Sequence, residues 1–270
     1  KYTGLVKKED QENKIKKEYY MEDGKKDGLY LEYFMNGNKK YKAIYDKGIK
    51  VGLPKGWYEN GNVSEEHHYT KEKQIKLCIE WYSNGEKKRK YDYQTNDDDI
   101  AERTGYMQWI NGVMEVEFGN YEGDFQTWYE NGNKKDSCYY LNGAKNGLSK
   151  KWHKSGILNI KESFKKGQIN GKKEIWNEQG IKVFEGTYLS GKKNGSRKRW
   201  YDNGQIEFQQ NYILNEKDSL SYKQGIFTSW FSNGNKRFEG EYKMGIKNGV
   251  FYFWKENGDL ENKKIFKYGN

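Results

Sequence analysis

Histidine and cysteine are the residues of this sequence that could do nucleophilic or metal chemistry, and both are scarce. The 270-residue chain has three histidines (His67, His68 and His153) and two cysteines (Cys78 and Cys138). The cysteines form no CxxC motif, so they predict neither a disulfide framework nor a cysteine metal site. The histidines do not have the spacing of a metal-binding motif, and we expect no metal site.

Other catalytic motifs are also missing from the sequence. It contains no GxSxG, GxxxxGK[ST] or HExxH motif and no evident Cys/His pairing, so we predict a non-enzymatic protein without a cofactor. Asp97-Asp98-Asp99 resembles an acidic calcium loop, but it lacks the spaced ligands and the glycine of an EF-hand loop. We interpret it as part of a solvated insertion at 94–104.

Tryptophan is the residue whose pattern could support binding. Aromatic residues make up 17% of the chain, and one tryptophan recurs at nearly constant spacing. The recurring residues are Trp57, Trp81, Trp128, Trp152, Trp176, Trp200, Trp230 and Trp254. Their rings could hold neighbouring structural units together, since large rings bury much area. They could also form a ladder of aromatic platforms for a peptide, a sugar or a lipid headgroup.

Basic residues are the second feature that bears on binding. The net charge is +10, and the basic clusters include Lys87-Lys88-Arg89-Lys90, Lys134-Lys135, Lys165-Lys166, Lys192-Lys193 and Arg197-Lys198-Arg199. Such clusters are typical of a solvated edge, or of contact with an anionic membrane surface. Acidic residues are interleaved with them and would repel phosphates, so nucleic acid is an unlikely partner.

A repeat of 24 residues positions these side chains. The stretch WYENGN occurs at Trp57–Asn62 and again at Trp128–Asn133. Both copies belong to a longer series of turn glycines, which is Gly37, Gly61, Gly85, Gly132, Gly156, Gly180, Gly204, Gly234 and Gly258. Most of these glycines are 24 residues apart, and the recurring tryptophan stands four residues before each from Gly61 onward. Periods of this length are typical of repeat architectures.

Each repeat has the pattern of a β-hairpin. Asn-Gly favours a type I′ turn, which needs a positive φ at both central residues. After the turn, apolar and polar residues alternate, as in Phe238–Tyr242, which predicts a half-buried strand. Segments such as Tyr188–Gly195 are short and polar, and we expect them to be loops that join neighbouring hairpins. The prediction is an all-β protein, an elongated antiparallel β-meander of about eleven 24-residue hairpin repeats that forms a twisted rod or solenoid-like array.

The repeat pattern resembles a known family. GxxxxWYxNGNxxxExxYxxGxxNG, clearest at Gly123–Gly147 and Gly225–Gly249, is similar to the bacterial variant of the MORN (membrane occupation and recognition nexus) repeat. The resemblance implies a rod of successive hairpins that contacts proteins or lipids and carries no catalytic residues. It also implies export or attachment to the cell envelope, and some relatives are described as antitoxin-like.

The sequence therefore predicts a single repeat array over residues 1–270. It comprises N-terminal repeats at 4–93, a degenerate repeat with an insertion at 94–122, and C-terminal repeats at 123–270. We expect a non-enzymatic scaffold, secreted or at the cell surface, that binds a protein partner or an anionic membrane surface and has no transmembrane span. Two alternatives stay open: an adhesin-like module that binds carbohydrate or choline, and a cytoplasmic antitoxin-like protein that binds a toxin. The residues before Lys1 decide whether a signal peptide or lipid anchor exists.

Overall fold

The computed structural model describes residues 1–12, 14–69, 75–92, 108–110, 113–115 and 123–267 of the chain. These residues form β-strands and turns, so the predicted all-β class is confirmed. The chain divides into two compact units, Lys1–Ala144 and Lys145–Asn270. The degenerate repeat predicted at 94–122, with Asp97-Asp98-Asp99, lies outside the described residues except for two short strands.

The first unit is an antiparallel meander. Its strands are β1 (Gly4–Asp10), β2 (Ile15–Glu22), β3 (Lys25–Phe34), β4 (Lys39–Asp46), β5 (Ile49–Trp57), β6 (Val63–Tyr69), β7 (Ile75–Trp81), β8 (Lys87–Tyr91), β9 (Gln108–Ile110), β10 (Val113–Glu115), β11 (Gly123–Trp128) and β12 (Lys134–Leu141). Successive strands from β1 to β8 pair with one another, and β8 then pairs with β11 and β11 with β12. Strands β9 and β10 pair with each other in a separate sheet.

The second unit repeats the same arrangement. Strand β13 (Ala144–Lys145) falls at the division, and the others are β14 (Gly147–Trp152), β15 (Leu158–Lys165), β16 (Gln168–Trp176), β17 (Lys182–Leu189), β18 (Lys192–Trp200), β19 (Ile206–Asn215), β20 (Leu220–Trp230), β21 (Lys236–Lys243), β22 (Ile246–Trp254) and β23 (Leu260–Phe266). From β14 to β23, each strand pairs antiparallel with the next. The predicted meander of hairpins is therefore confirmed.

The Asn-Gly turns are not type I′, which corrects the prediction from the sequence. The amide of Gly61 donates to the carbonyl oxygen of Tyr58 (2.9 Å), and the amide of Tyr58 donates to the carbonyl oxygen of Asn62 (2.8 Å). Within the Asn60-Gly61 pair only the glycine has a positive φ, 88°. This is the pattern of a three-residue loop in which a β-turn is followed by a left-handed glycine and a bulge. The side-chain oxygen of Asn60 stabilises this loop by accepting a hydrogen bond from the amide of Asn62 (3.1 Å).

Type I′ geometry occurs instead in the segments that the sequence predicted to be loops. Lys166 and Gly167 both have a positive φ, 51° and 78°, and they join β15 directly to β16. Ser190 and Gly191 do the same between β17 and β18. The polar linkers are therefore two-residue hairpin turns with strands running up to them, and several strands are 9–11 residues long.

A core of tyrosine and phenylalanine lies on one face of the meander in each unit, called here the aromatic face. It carries the residues eight positions after the turn glycine, which among the described side chains are Tyr45, Tyr140, Phe164, Tyr188, Tyr212, Tyr242 and Phe266. In the second unit, Phe251 is fully buried, and its ring centroid lies 5.4 Å from that of Tyr242 and 4.9 Å from that of Phe266. The predicted half-buried pattern is confirmed, since one face of the sheet packs while the other faces solvent.

Candidate functional site

The eight recurring tryptophans all end a strand just before an Asn-Gly type of turn. Trp57 ends β5, Trp200 ends β18, and the others take the same place in their repeats. Every one of these side chains is half-buried, so none belongs to the fully buried core. The structure therefore places the tryptophans at the turn edge of each sheet and leaves part of each side chain accessible.

The tryptophan backbone joins one repeat to the next. The hydroxyl of Tyr58 donates to the carbonyl oxygen of Trp81 (2.7 Å), and Tyr82 makes the equivalent bond to Trp128 (3.0 Å). His153 takes the place of tyrosine in its repeat, because its Nε2 lies 3.0 Å from the carbonyl oxygen of Trp176. This histidine therefore has a structural role in the repeat.

The turn asparagines form a second set of bonds between repeats. Asn203 Nδ2 donates to the carbonyl oxygen of Ser232 (2.8 Å), and Asn233 Nδ2 donates to that of Glu256 (2.7 Å). In the first unit, Asn60 makes the same bond to Ser83 (2.8 Å). The side-chain oxygen of the asparagine thus stabilises its own turn, and the side-chain nitrogen bonds to the next turn. These structural bonds account for the recurrence of asparagine at this position without a role in binding.

A lysine column on the aromatic face was missed by sequence reasoning. A lysine stands eleven residues before the turn glycine in several repeats, namely Lys26, Lys50, Lys145, Lys193, Lys223 and Lys247. The ammonium of Lys26 lies 4.3 Å from the ring centroid of Tyr30 and 5.0 Å from that of Tyr45. Burial and the neighbouring Lys50 lower the pKa of Lys26. The recurring Gly-x-Lys-[Asn/Asp]-Gly pattern is the signal that could have predicted these cation–π contacts.

Histidine and cysteine are brought together in the first unit, contrary to the sequence analysis. His67 and Cys78 are direct cross-strand neighbours on β6 and β7, with 3.9 Å between His67 Nε2 and Cys78 Sγ. Glu65 Oε2 lies 3.4 Å from the same nitrogen. Burial lowers the pKa of His67, but hydrogen bonds to Cys78 and Glu65 outweigh this and raise the pKa to about 10.

This thiol, imidazole and carboxylate lie against the core. Cys78 is 1% exposed and belongs to a cluster with Tyr91, Cys138 and Tyr140. The Cys78 thiol is buried in this hydrophobic cluster, whereas the side chains of His67 and Glu65 beside it are 18% and 39% exposed. Among the described residues, no group of three or more His, Cys, Asp and Glu side chains is placed to hold a metal ion.

The basic clusters are partly neutralised within the sheets. On the second unit, Lys172 and Lys182 each contact both Glu174 and Glu185, at 2.6–3.1 Å. Burial raises the pKa of Glu174, but hydrogen bonds from Lys182 and Lys172 outweigh this and lower it. Lys172 and Lys182 lie outside the basic clusters that the sequence assigns to solvated edges. Within those clusters, Lys88 and Arg89 contact Glu80, and Arg199 contacts Glu207.

An open groove runs over the aromatic face of the second unit. One part has a volume of about 690 Å³ and is lined by residues that include Phe184, Arg197, Arg199 and Trp200. The neighbouring part, about 420 Å³, shares Tyr201, Glu207 and Phe208 with it and adds Phe227, Trp230, Arg237 and Phe253. Two of the eight recurring tryptophans, Trp200 and Trp230, thus line a concave surface, which is the usual shape of a binding site.

The fold and this surface define a class of protein, an array of β-hairpin repeats with an open aromatic face. The family model described as "MORN repeat variant" matches residues 50–71, 121–142, 193–213 and 223–244. The resemblance predicted from the sequence is confirmed in these four segments, and the family is a non-catalytic repeat type whose members commonly bind proteins or membranes. No curated protein matches the chain. In the described part of the chain, no helix has the length and apolar character needed to cross a membrane.

Proposed function

We propose that this protein is a non-enzymatic scaffold, exported or at the cell surface, that binds a partner protein along the aromatic face of its second unit. The observation that carries the proposal is the open groove of about 690 Å³. Most other regular polar features hold the repeats together, whereas the groove leaves aromatic rings and arginine side chains accessible. Apolar and aromatic rings with a few polar groups are typical of protein-binding surfaces.

Tryptophan substitution tests this proposal. Trp200→Ala and Trp230→Ala remove rings from the groove, and Trp152→Ala is the matched control because Trp152 holds the same repeat position outside the groove. The wild-type protein, immobilised and exposed to extracts of its source cells, should retain a partner that is then purified and titrated. Binding should weaken in the two groove variants and persist in the control. Equal binding by all four proteins, or no retained protein, would contradict the proposal.

An anionic membrane surface is the second candidate, favoured by an apolar row on the first unit. Leu5 pairs with Tyr20 and Leu29 pairs with Ile44 across neighbouring strands, and all four side chains are exposed. Exposed apolar side chains of this kind, together with the net charge of +10, suit contact with anionic lipid. Flotation with phosphatidylserine-containing vesicles separates the candidates, because Ile44→Asp should abolish membrane binding and leave the groove partner bound.

The two remaining alternatives, a choline-binding module and an antitoxin-like protein, require different properties of the protein. A choline reader needs aromatic boxes that are empty, whereas the box of Tyr30 and Tyr45 is filled by Lys26. An antitoxin-like role is also a protein-binding role, and cell fractionation distinguishes it, because it requires a cytoplasmic protein while our proposal requires export.

A further inference from the structure

Arginine is concentrated in the groove of the second unit. The chain has five arginines against a large excess of lysine, and three of the five, Arg197, Arg199 and Arg237, line the groove. Arginine differs from lysine because its planar guanidinium binds a carboxylate with two parallel hydrogen bonds and stacks on aromatic rings. Its concentration here points to recognition of an anion by a surface that also offers rings.

Arg197 lies in the larger part of the groove between two aromatic rings. Its guanidinium carbon lies 5.0 Å from the ring centroid of Phe184 and 5.7 Å from that of Tyr212, so the side chain is held by aromatic contacts. Its Nε is buried without a hydrogen-bond acceptor, and none of the described carboxylates forms an ion pair with it. Arg197 also lines the groove, so a carboxylate that enters the groove can pair with a guanidinium that has no ion pair.

Two other cations that line the groove are already paired with carboxylates. Arg199 Nε lies 3.0 Å from Glu207 Oε2, and Lys173 Nζ lies 2.5 Å from Glu162 Oε1. Among the described residues, Arg197 and Arg237 are the arginines of the groove without an ion pair, and Arg197 lies in the larger part of the groove. Asp202 and Glu207 also line the groove and would repel a polyphosphate. The charge pattern fits a single carboxylate side chain better than a nucleic acid backbone.

We propose that the groove binds an extended segment of a partner protein in which an Asp or Glu carboxylate contacts Arg197 and the flanking aromatic or aliphatic side chains pack on Phe184 and Phe208. The inference rests on the proposed protein-binding function and deepens it by naming the chemistry of the partner. The carboxylate accepts hydrogen bonds from the guanidinium of Arg197. The phenylalanine rings receive the apolar side chains, and Arg199 stays paired with Glu207.

Selection from a displayed random-peptide library, with the whole protein as the target, tests this proposal. We expect enriched peptides to carry Asp or Glu next to Phe, Trp, Leu or Ile. Synthetic versions of them should bind Arg197→Gln roughly tenfold or more weakly than wild type, since a charge-assisted hydrogen bond is lost. Lys198→Gln is the matched control, because it removes the same charge from the adjacent residue, whose side chain points to the opposite face of β18.

A further variant and three outcomes keep the test decisive. Arg197→Lys keeps the charge but loses the planar fork, so it should fold and bind with intermediate affinity, and circular dichroism checks that each variant is folded. Enriched peptides without acidic residues would overturn the proposal, and so would equal peptide affinity of Arg197→Gln and Lys198→Gln. In either case, weaker partner binding by Trp200→Ala would still support the scaffold function. Binding of oligouridine or of phosphatidylserine vesicles that depends on Arg197, with no peptide enriched, would also overturn it.

Discussion

The hydroxyl of Tyr201 donates a hydrogen bond to the carbonyl oxygen of Trp230, 2.9 Å away, and so ties one repeat to the next. Tyr58 and Tyr82 make the same bond to the tryptophans that follow them. The recurring tryptophan thus has two roles in one residue, since its backbone accepts a bond between repeats while its side chain lies at an accessible edge. In a repeat array, such bonds between neighbours supply much of the stability.

Removal of this hydroxyl should destabilise the second unit. Tyr201→Phe keeps the ring and deletes the donor to Trp230, so we expect a loss of about 1 kcal/mol in the free energy of unfolding. Urea unfolding followed by circular dichroism measures it. Tyr252→Phe is the control, because Tyr252 is exposed and its hydroxyl makes no hydrogen bond to the described residues. An equal effect of both substitutions would contradict the assignment.

The turn asparagine Asn203 should separate turn formation from repeat contact. Asn203→Asp keeps the oxygen that accepts the amide of Gln205 (3.0 Å) but loses the donor to Ser232 (2.8 Å), whereas Asn203→Ala loses both. We expect the alanine variant to be the less stable of the two, with each bond contributing about 1 kcal/mol. Thermal unfolding midpoints compare the variants, and an alanine variant at least as stable as the aspartate variant would contradict the role of the Asn203 oxygen in the turn.

Removal of one charge from a buried ion pair in the first unit should strongly lower the free energy of unfolding. Arg89 Nη2 lies 2.5 Å from Glu80 Oε1, and both side chains are only 9% exposed. Glu80→Leu or Arg89→Met leaves the other charge in a buried site, so each should destabilise the protein by about 3–5 kcal/mol. The double variant Glu80→Leu with Arg89→Met should recover most of this loss. Urea unfolding of the four proteins measures the coupling, and additive losses would contradict it.

His67 should make stability depend on pH in the alkaline range. Its pKa is about 10 in the folded protein, where Glu65 and Cys78 face it, against an ordinary value near 6.5 in the unfolded chain. The protonated form is therefore favoured by folding, and its contribution is fully present below about pH 6.5 and is lost as pH rises through about 10. Urea midpoints at pH 6 and pH 10 should differ more in wild type than in His67→Gln.

His68→Gln is the control for this pH dependence, because it changes the adjacent residue of β6, which points to the opposite face. Its loss of stability between pH 6 and pH 10 should match that of wild type. A wild-type protein that loses no more stability than His67→Gln would contradict the proposed charge state. An NMR titration of the His67 ring gives an independent measure, with the protonated form expected at pH 8.

The sequence was sufficient for features that depend on residues close along the chain. Asn-Gly and the alternation after it, as in Phe238–Tyr242, act over a few residues, so the hairpins, their antiparallel order and the 24-residue period could be predicted. The assignment of type I′ to Asn-Gly was wrong, because that turn type needs a positive φ at both residues. The side-chain oxygen of Asn60 instead accepts a hydrogen bond from the amide of Asn62 in its own loop. Two consecutive residues with a positive φ occur at Lys166 and Gly167.

The tertiary structure alone decided which distant side chains meet. His67 and Cys78 face one another because the pairing of β6 with β7 sets their register, and the local pattern of either strand does not reveal that register. In the same way, Arg197 and Arg199 occur in a basic cluster that is typical of a solvated edge, but they lie on the aromatic face of the second unit. The sequence by itself determined the repeat and its strands, whereas strand register and sheet packing determined the groove and which cations line it.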